Sequence, residues 1–254
     1  MATVIAVTNQ KGGVGKTTTT INVAYYLAKA GKRTLLIDFD PQGNATSGLG
    51  IDKETLPATM ADVILDQKKL VEIINQTSFK NLSVAPAAPT LANAEVDLAQ
   101  VQHKFSRLKY AVQSCADHYD YILIDCPPSL SLLTVNALIA ARYVLLPVQA
   151  EFYALEGLGQ LLETMKLVRK AMNPMVDLIG VLPTMVDSRT SLSGQVLAEI
   201  TKHFPAKVFK NTIPRNVRLA EAPSHGIPIG AYDRFSKGAR AYKGVAKEVM
   251  ERVG

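Results

Sequence analysis

The chain has 254 residues, 48% hydrophobic and 20% charged, an ordinary globular balance that excludes a disordered or fibrous protein. Two cysteines are too few for a disulfide framework or a four-thiolate metal site, no apolar run nears the roughly 18 residues of a membrane span, and residues 1–10 lack signal-peptide character, so a reducing, cytoplasmic setting is expected. The formal charge of +6 is uneven: residues 201–254 carry a net +7, leaving −1 on residues 1–200.

Short apolar β-rich runs predict strands at 3–8, 33–38, 82–85, 121–125, 143–148 and 178–184. Helical patterns alternate with them. Ile21, Ala24, Leu27 and Ala28 recur at helical spacing and predict a helix over 17–30, with Gly31 as its stop. Leu158, Leu161, Leu162, Met165 and Val168 place a long helix after Glu151, and Cys115 reads as helical. Tyr242, Val245, Val249 and Val253 align along a last helix over 239–253. No Leu, Phe or Trp follows Phe235, so that stripe suits packing on a sheet better than a membrane-binding tail. The alternation predicts an α/β fold, one domain over 1–254 with a mostly parallel twisted sheet and helices on both faces.

Between the first strand and its helix lies Lys11-Gly12-Gly13-Val14-Gly15-Lys16-Thr17-Thr18. Glycines there let successive amides turn around phosphate oxygens, and the following helix points its positive dipole end at the same anion. Lys16 is then placed to reach β/γ-phosphates, and the Thr17 hydroxyl to bind Mg²⁺. The general G-x-x-x-x-G-K-[ST] pattern fails at one point, because Gln10 stands five before Gly15 and Lys11 follows it. Asp38 and Asp40, two apart at a strand end, belong on one side, next to the loop, and Asp125 ends another apolar strand.

The loop matches the deviant Walker A motif, and the chain resembles the ParA/Soj chromosome- and plasmid-partitioning ATPases of the wider ParA/MinD group over nearly its whole length. Supporting stretches are residues 38–46, 125–130, 151–157 and 213–218, the last two being particularly Soj-like. The resemblance implies a P-loop NTPase that uses ATP and Mg²⁺, is weak alone and is stimulated by a partner. Lys11 would cross to the ATP of the facing subunit, in the manner of an arginine finger. Asp38 would support the shell of Mg²⁺ and Thr17, Asp125 would hold the metal directly or through water, and Asp40 would position or activate the attacking water. Pro214 and Asn216 would lie near the adenine.

The resemblance further implies an ATP-dependent homodimer, non-specific binding to double-stranded DNA through Arg189 and Arg218, a ParB-like centromere-binding partner, and a nucleoid-associated location. Lys202, Lys207, Lys210, Arg215, Arg234, Lys237 and Arg240 would extend the basic surface, since phosphate contacts need no base-reading motif. Other outcomes on the same fold are a positioning ATPase for another cargo, nucleoid-based or membrane-based, a small-molecule synthetase, or an iron–sulfur reductase. The last needs two cysteine ligands per subunit, which Cys115 in a helix would not supply.

Overall fold

A computed structural model describes residues 2–151, 158–187 and 189–254. Its strands are β1 (Thr3–Val7), β2 (Thr34–Asp38), β3 (Asn75–Gln76), β4 (Leu82–Ala85), β5 (Tyr121–Asp125), β6 (Tyr143–Gln149) and β7 (Asp177–Thr184). The helices are α1 (Lys16–Lys29), α2 (Asn44–Ser47), α3 (Met60–Ile64), α4 (Leu70–Ile73), α5 (Thr90–Leu98), α6 (Arg107–Gln113), α7 (Leu132–Ala140), α8 (Leu158–Ala171), α9 (Ser191–His203), α10 (Val217–Glu221), α11 (Ile229–Tyr232) and α12 (Lys237–Val253). All seven strands form one sheet in the order β3-β4-β2-β5-β1-β6-β7. Every pairing is parallel except β3 with β4.

Strands covered on both faces read as continuous apolar runs rather than alternating ones. Along β1, Ile5 and Val7 pack with α1 and α12 on one face, whereas Val4 and Ala6 pack with α3, α5, α6 and α7 on the other. A third cluster joins β6 and β7 to α8 and α9. Within α12 the aligned Tyr242, Val245 and Val249 are buried against α1, so that stripe is core. Among the described residues no helix is long and apolar enough to cross a membrane.

The six predicted strands and the helix after the glycine loop stand within a residue or two of their predicted bounds. Gly31 takes the left-handed φ of 85° that ends α1. The structure moves Cys115 out of a helix: α6 ends at Gln113, and Cys115 sits in the turn before a short 3₁₀ segment. Both cysteines are free and buried. Of the Soj-like stretch 151–157, only Glu151 lies within the described residues.

Candidate functional site

β1 lies inside the sheet, flanked by β5 and β6, and residues 8–15 connect it to α1. Asn9 fixes this loop at its root: Nδ2 donates to the Pro147 carbonyl at 2.7 Å and Oδ1 accepts from the Lys11 amide at 3.0 Å. Gly13 and Gly15 adopt φ of 75° and 88°, which side-chain-bearing residues adopt only with strain. A Cβ built at Gly12 or Gly13 meets nothing within 4 Å, so the loop lies open. The first turn of α1 has neither a side-chain cap nor an acidic residue. Its leading amides are therefore available to an anion.

Lys16 is 6% exposed, and its ammonium donates to the Lys11 carbonyl at 3.0 Å. Burial lowers its pKa, and the nearby Asp125 and Asp40 carboxylates oppose that fall. Strand register explains why the carboxylates gather here: Asp38 pairs with Asp125 across β2 and β5, and Asp125 with Val7 across β5 and β1. Three strand ends thus deliver two carboxylates and the phosphate loop at one level.

The carboxylates differ in their partners. Asp38 Oδ2 accepts from both the amide and the hydroxyl of Thr46, each at 2.7 Å, while Oδ1 accepts from the Asp40 amide at 3.3 Å. Asp125 Oδ1 accepts from the Thr20 hydroxyl at 2.9 Å, but its Oδ2 is buried without a partner. Asp40, 6% exposed, accepts from the Gln42 amide at 2.9 Å. Burial, followed by the neighbouring Asp38, pushes Asp125 well above the usual carboxylate range; burial also raises Asp38, against its Thr46 hydrogen bonds.

An orphaned oxygen in a cluster of raised carboxylates suits a divalent cation, and the Thr17 hydroxyl acts on the same Asp125 carboxylate. Among the described residues no group of three His, Cys, Asp or Glu side chains is arranged to hold a metal. A hard cation held here would need further oxygen ligands from outside this carboxylate set.

Stability follows from the same pair. Where a folded carboxylic acid has a raised pKa, the unfolded chain releases its proton first, so stability falls as pH rises from about 4 through neutrality. Nucleotide-free protein should melt at lower temperature at pH 8 than at pH 6. Millimolar Mg²⁺ with ADP should raise the midpoint more at pH 8, because the ion favours the ionised pair. Scanning calorimetry checks both, and equal midpoints at the two pH values without ligand would contradict the first.

A second region forms behind the loop. The segment after α9 follows β7 through bridges Val181–Val208 and Val186–Pro214, carrying Pro214 and Asn216 beside Gly15 and Thr18. They line a mostly apolar cavity of about 450 Å³, within the range of small-ligand sites. Asn216 Oδ1 is buried without a hydrogen-bond partner. Thr184, at the end of β7, donates to the Val14 carbonyl at 2.8 Å and ties this wall to the loop.

Lys11 stands apart from Lys16: its side chain is 43% exposed and faces Glu151 at 3.9 Å, which also faces Arg215 at 3.7 Å. Arg189 is 85% exposed and grips Asp187 through two nitrogens, holding that carboxyl far below its usual range. Arg218 pairs with Glu221 at 2.8 Å and approaches Asp233 at 3.8 Å. Lys207 leaves the expected free basic set, because it binds Asp177 at 3.2 Å and the Leu178 carbonyl at 2.7 Å.

A family model described as an AAA domain matches residues 2–178. The sporulation initiation inhibitor protein Soj of Bacillus subtilis is 54% identical over 249 residues, 98% of each chain. The chain belongs to the ParA/Soj family of partitioning ATPases. The chromosome-partitioning ATPase Soj of Treponema pallidum is 46% identical over 254 residues, 100% of this chain and 99% of its own. A solved structure of cobyrinic acid a,c-diamide synthase from Mycobacterium smegmatis, with bound ATP analog and magnesium, superposes with a TM-score of 0.88 at 36% identity, covering 100% of this chain and 96% of that one.

In this ParA/Soj chain the structure brings the loop, Thr17, Asp38, Asp40 and Asp125 together, with Pro214 and Asn216 at the adjoining cavity. Arg189 and Arg218 lie on other surface elements. Four supporting residues escaped the sequence reading: Asn9, Thr20, Thr46 and Thr184. Asn9 had a signal, an Asx residue at the strand-to-loop junction, and Thr20 lies one helical turn after Lys16. Thr184 had none, being 170 residues from its partner Val14.

Proposed function

We propose that the chain is an ATP-driven partitioning switch: ATP with Mg²⁺ closes a sandwich dimer, the dimer holds double-stranded DNA without sequence preference, and partner-stimulated hydrolysis releases it. The observation that carries this reading is the contrast between the two loop lysines, Lys16 buried near its own carboxylates and Lys11 half-exposed, its ammonium 3.9 Å from Glu151. An exposed loop cation of this kind supports service to a facing site.

Lys16 and the first amides of α1 hold the β/γ-phosphates, while Asn216 reads the base from the adjoining cavity. Thr17, Asp125 and, behind them, Asp38 would hold Mg²⁺, which would supply charge neutralisation at the phosphates. Asp40 orients the attacking water, and Lys11 offsets charge on the γ-phosphate of the opposing subunit. Contributions of this in-trans kind reach about 10³- to 10⁵-fold in rate. Binding, dimerisation and hydrolysis are thereby coupled.

Gly12→Val tests the geometry, because a side chain there meets nothing within its own subunit. The variant should bind ATP within about threefold of the parent, a difference under 1 kcal/mol, yet remain monomeric in size-exclusion chromatography. A Gly12→Val dimer would argue against close approach at this loop.

Arg189 and Arg218 are exposed enough to exchange their carboxylate partners for DNA phosphates, and a dimer presents each twice. Retention on unrelated duplexes should require ATP, fall steeply with salt, and weaken in Arg218→Ala with a salt slope lower by about 1 to 2. Retention indifferent to ATP, salt and that substitution would contradict the reading. The expected activator is a ParB-like centromere-binding protein and the expected location the nucleoid.

A small-molecule synthetase is the second reading, supported by the solved synthase relative. Hydrolysis that needs an organic acceptor would favour it, whereas hydrolysis raised by duplex DNA without one favours partitioning.

A further inference from the structure

α12 runs beside α1, and between them lies a groove of about 540 Å³ lined by none of the nucleotide-site residues. Its floor is apolar, with Ala246 and Met250 from α12. Phe235 at its edge is 73% exposed, matched among the described large hydrophobics only by Val217. Lys29, Arg234, Lys243 and Lys247 line the same groove, and no carboxylate does so among the described residues. Among the described residues only Lys247 of these has an ion-pair partner, Glu251 at 3.6 Å; Arg234 instead lies over the Phe235 ring at 4.6 Å.

We propose that this groove docks an acidic amphipathic segment of a partner protein. An apolar floor with an exposed aromatic ring offers nothing to a phosphate backbone, but it accepts the apolar anchors of a helix. Lys243 and Lys247 stand one turn apart on α12, the spacing at which two glutamates of a docked helix would meet them, and Lys29 and Arg234 add charge of the same sign. Complementary charge around an apolar centre is the arrangement that steers and orients such a partner.

The test uses the full chain and a fluorescein-labelled peptide of about five helical turns, with Leu and Phe on one face and Glu on the other. Two control peptides have the same composition scrambled, or Lys in place of Glu. The acidic peptide should bind saturably by fluorescence polarisation, at least tenfold more tightly than either control. Phe235→Ser combined with Lys243→Glu, both exposed positions, should weaken it at least tenfold while ATP hydrolysis and the melting temperature stay parental. Equal binding of the three peptides, or binding unchanged by the double substitution, overturns the proposal. So does a double variant that keeps the peptide but loses retention on duplex DNA, which would make the groove a nucleic-acid track.

Discussion

Lys16→Ala will weaken ATP binding by roughly a hundredfold, the loss of a charge-assisted contact worth about 3 kcal/mol. The size of the effect comes from placement: Lys16 is almost fully buried, and among the described residues the one hydrogen-bond acceptor of its ammonium is the Lys11 carbonyl in the phosphate loop itself. Its effect on the free protein should be much smaller, because two terms oppose each other. Removing the lysine ends the burial cost of its charge, while Asp125 and Asp40 lose their compensating cation. Titration calorimetry with a slowly hydrolysed ATP analogue, alongside a melting curve without nucleotide, separates the two. Binding within about threefold of the parent, under 1 kcal/mol, would remove Lys16 from the phosphate role.

Asp40→Ala should behave in the opposite way, keeping ATP and losing turnover. Asp40 sits beyond the end of β2, positioned through its own amide's bond to Asp38 and through Gln42, and among the described residues its side chain makes no hydrogen bond to Thr46 or Thr20. The Asp38 and Asp125 arrangement therefore survives its removal. Positioned general bases contribute typically about 10²- to 10⁴-fold, so hydrolysis should fall at least a hundredfold, while ATP affinity changes only a few-fold. The variant should then accumulate as an ATP-loaded form that stays on DNA. Parental turnover in Asp40→Ala would show that another group directs the water.

The fold was legible where pattern is local. Strands buried on both faces read as apolar runs, and the parallel order follows from helices alternating with them. The edge strand β3 was missed because two residues with a partly exposed pattern carry no periodicity, and α2, α3 and α4, of four or five residues, are too short to show one. The phosphate loop was equally legible, since glycine and lysine at those spacings have few other uses. The division of labour between the carboxylates was not. That Asp38 is held by Thr46 while Asp125 keeps a free oxygen depends on how α2 folds back on β2 and on where α1 lies against β5.

The C-terminal charge excess shows the same limit. Counting residues places it after residue 200, yet Arg252 lies mostly buried, bonded to Glu248 and to the carbonyls of Ile179, Lys207 and Val208. Lys207 is taken up by Asp177. Part of the excess is therefore structural, clamping α12 and the segment after α9 to β7. The remainder, including Lys243 and Arg240, is exposed.

The coupling of ATP to association is the centre of this account, and the molar mass of Asp40→Ala in solution tests it most directly. Light scattering with Mg²⁺ and either ATP or ADP, each at saturation and with an unrelated DNA duplex added in a second run, gives the measurement. The mass should be that of two chains with ATP, carrying the duplex, and of one chain with ADP, leaving the duplex free. A one-chain mass at saturating ATP, or equal masses with both nucleotides, would contradict it.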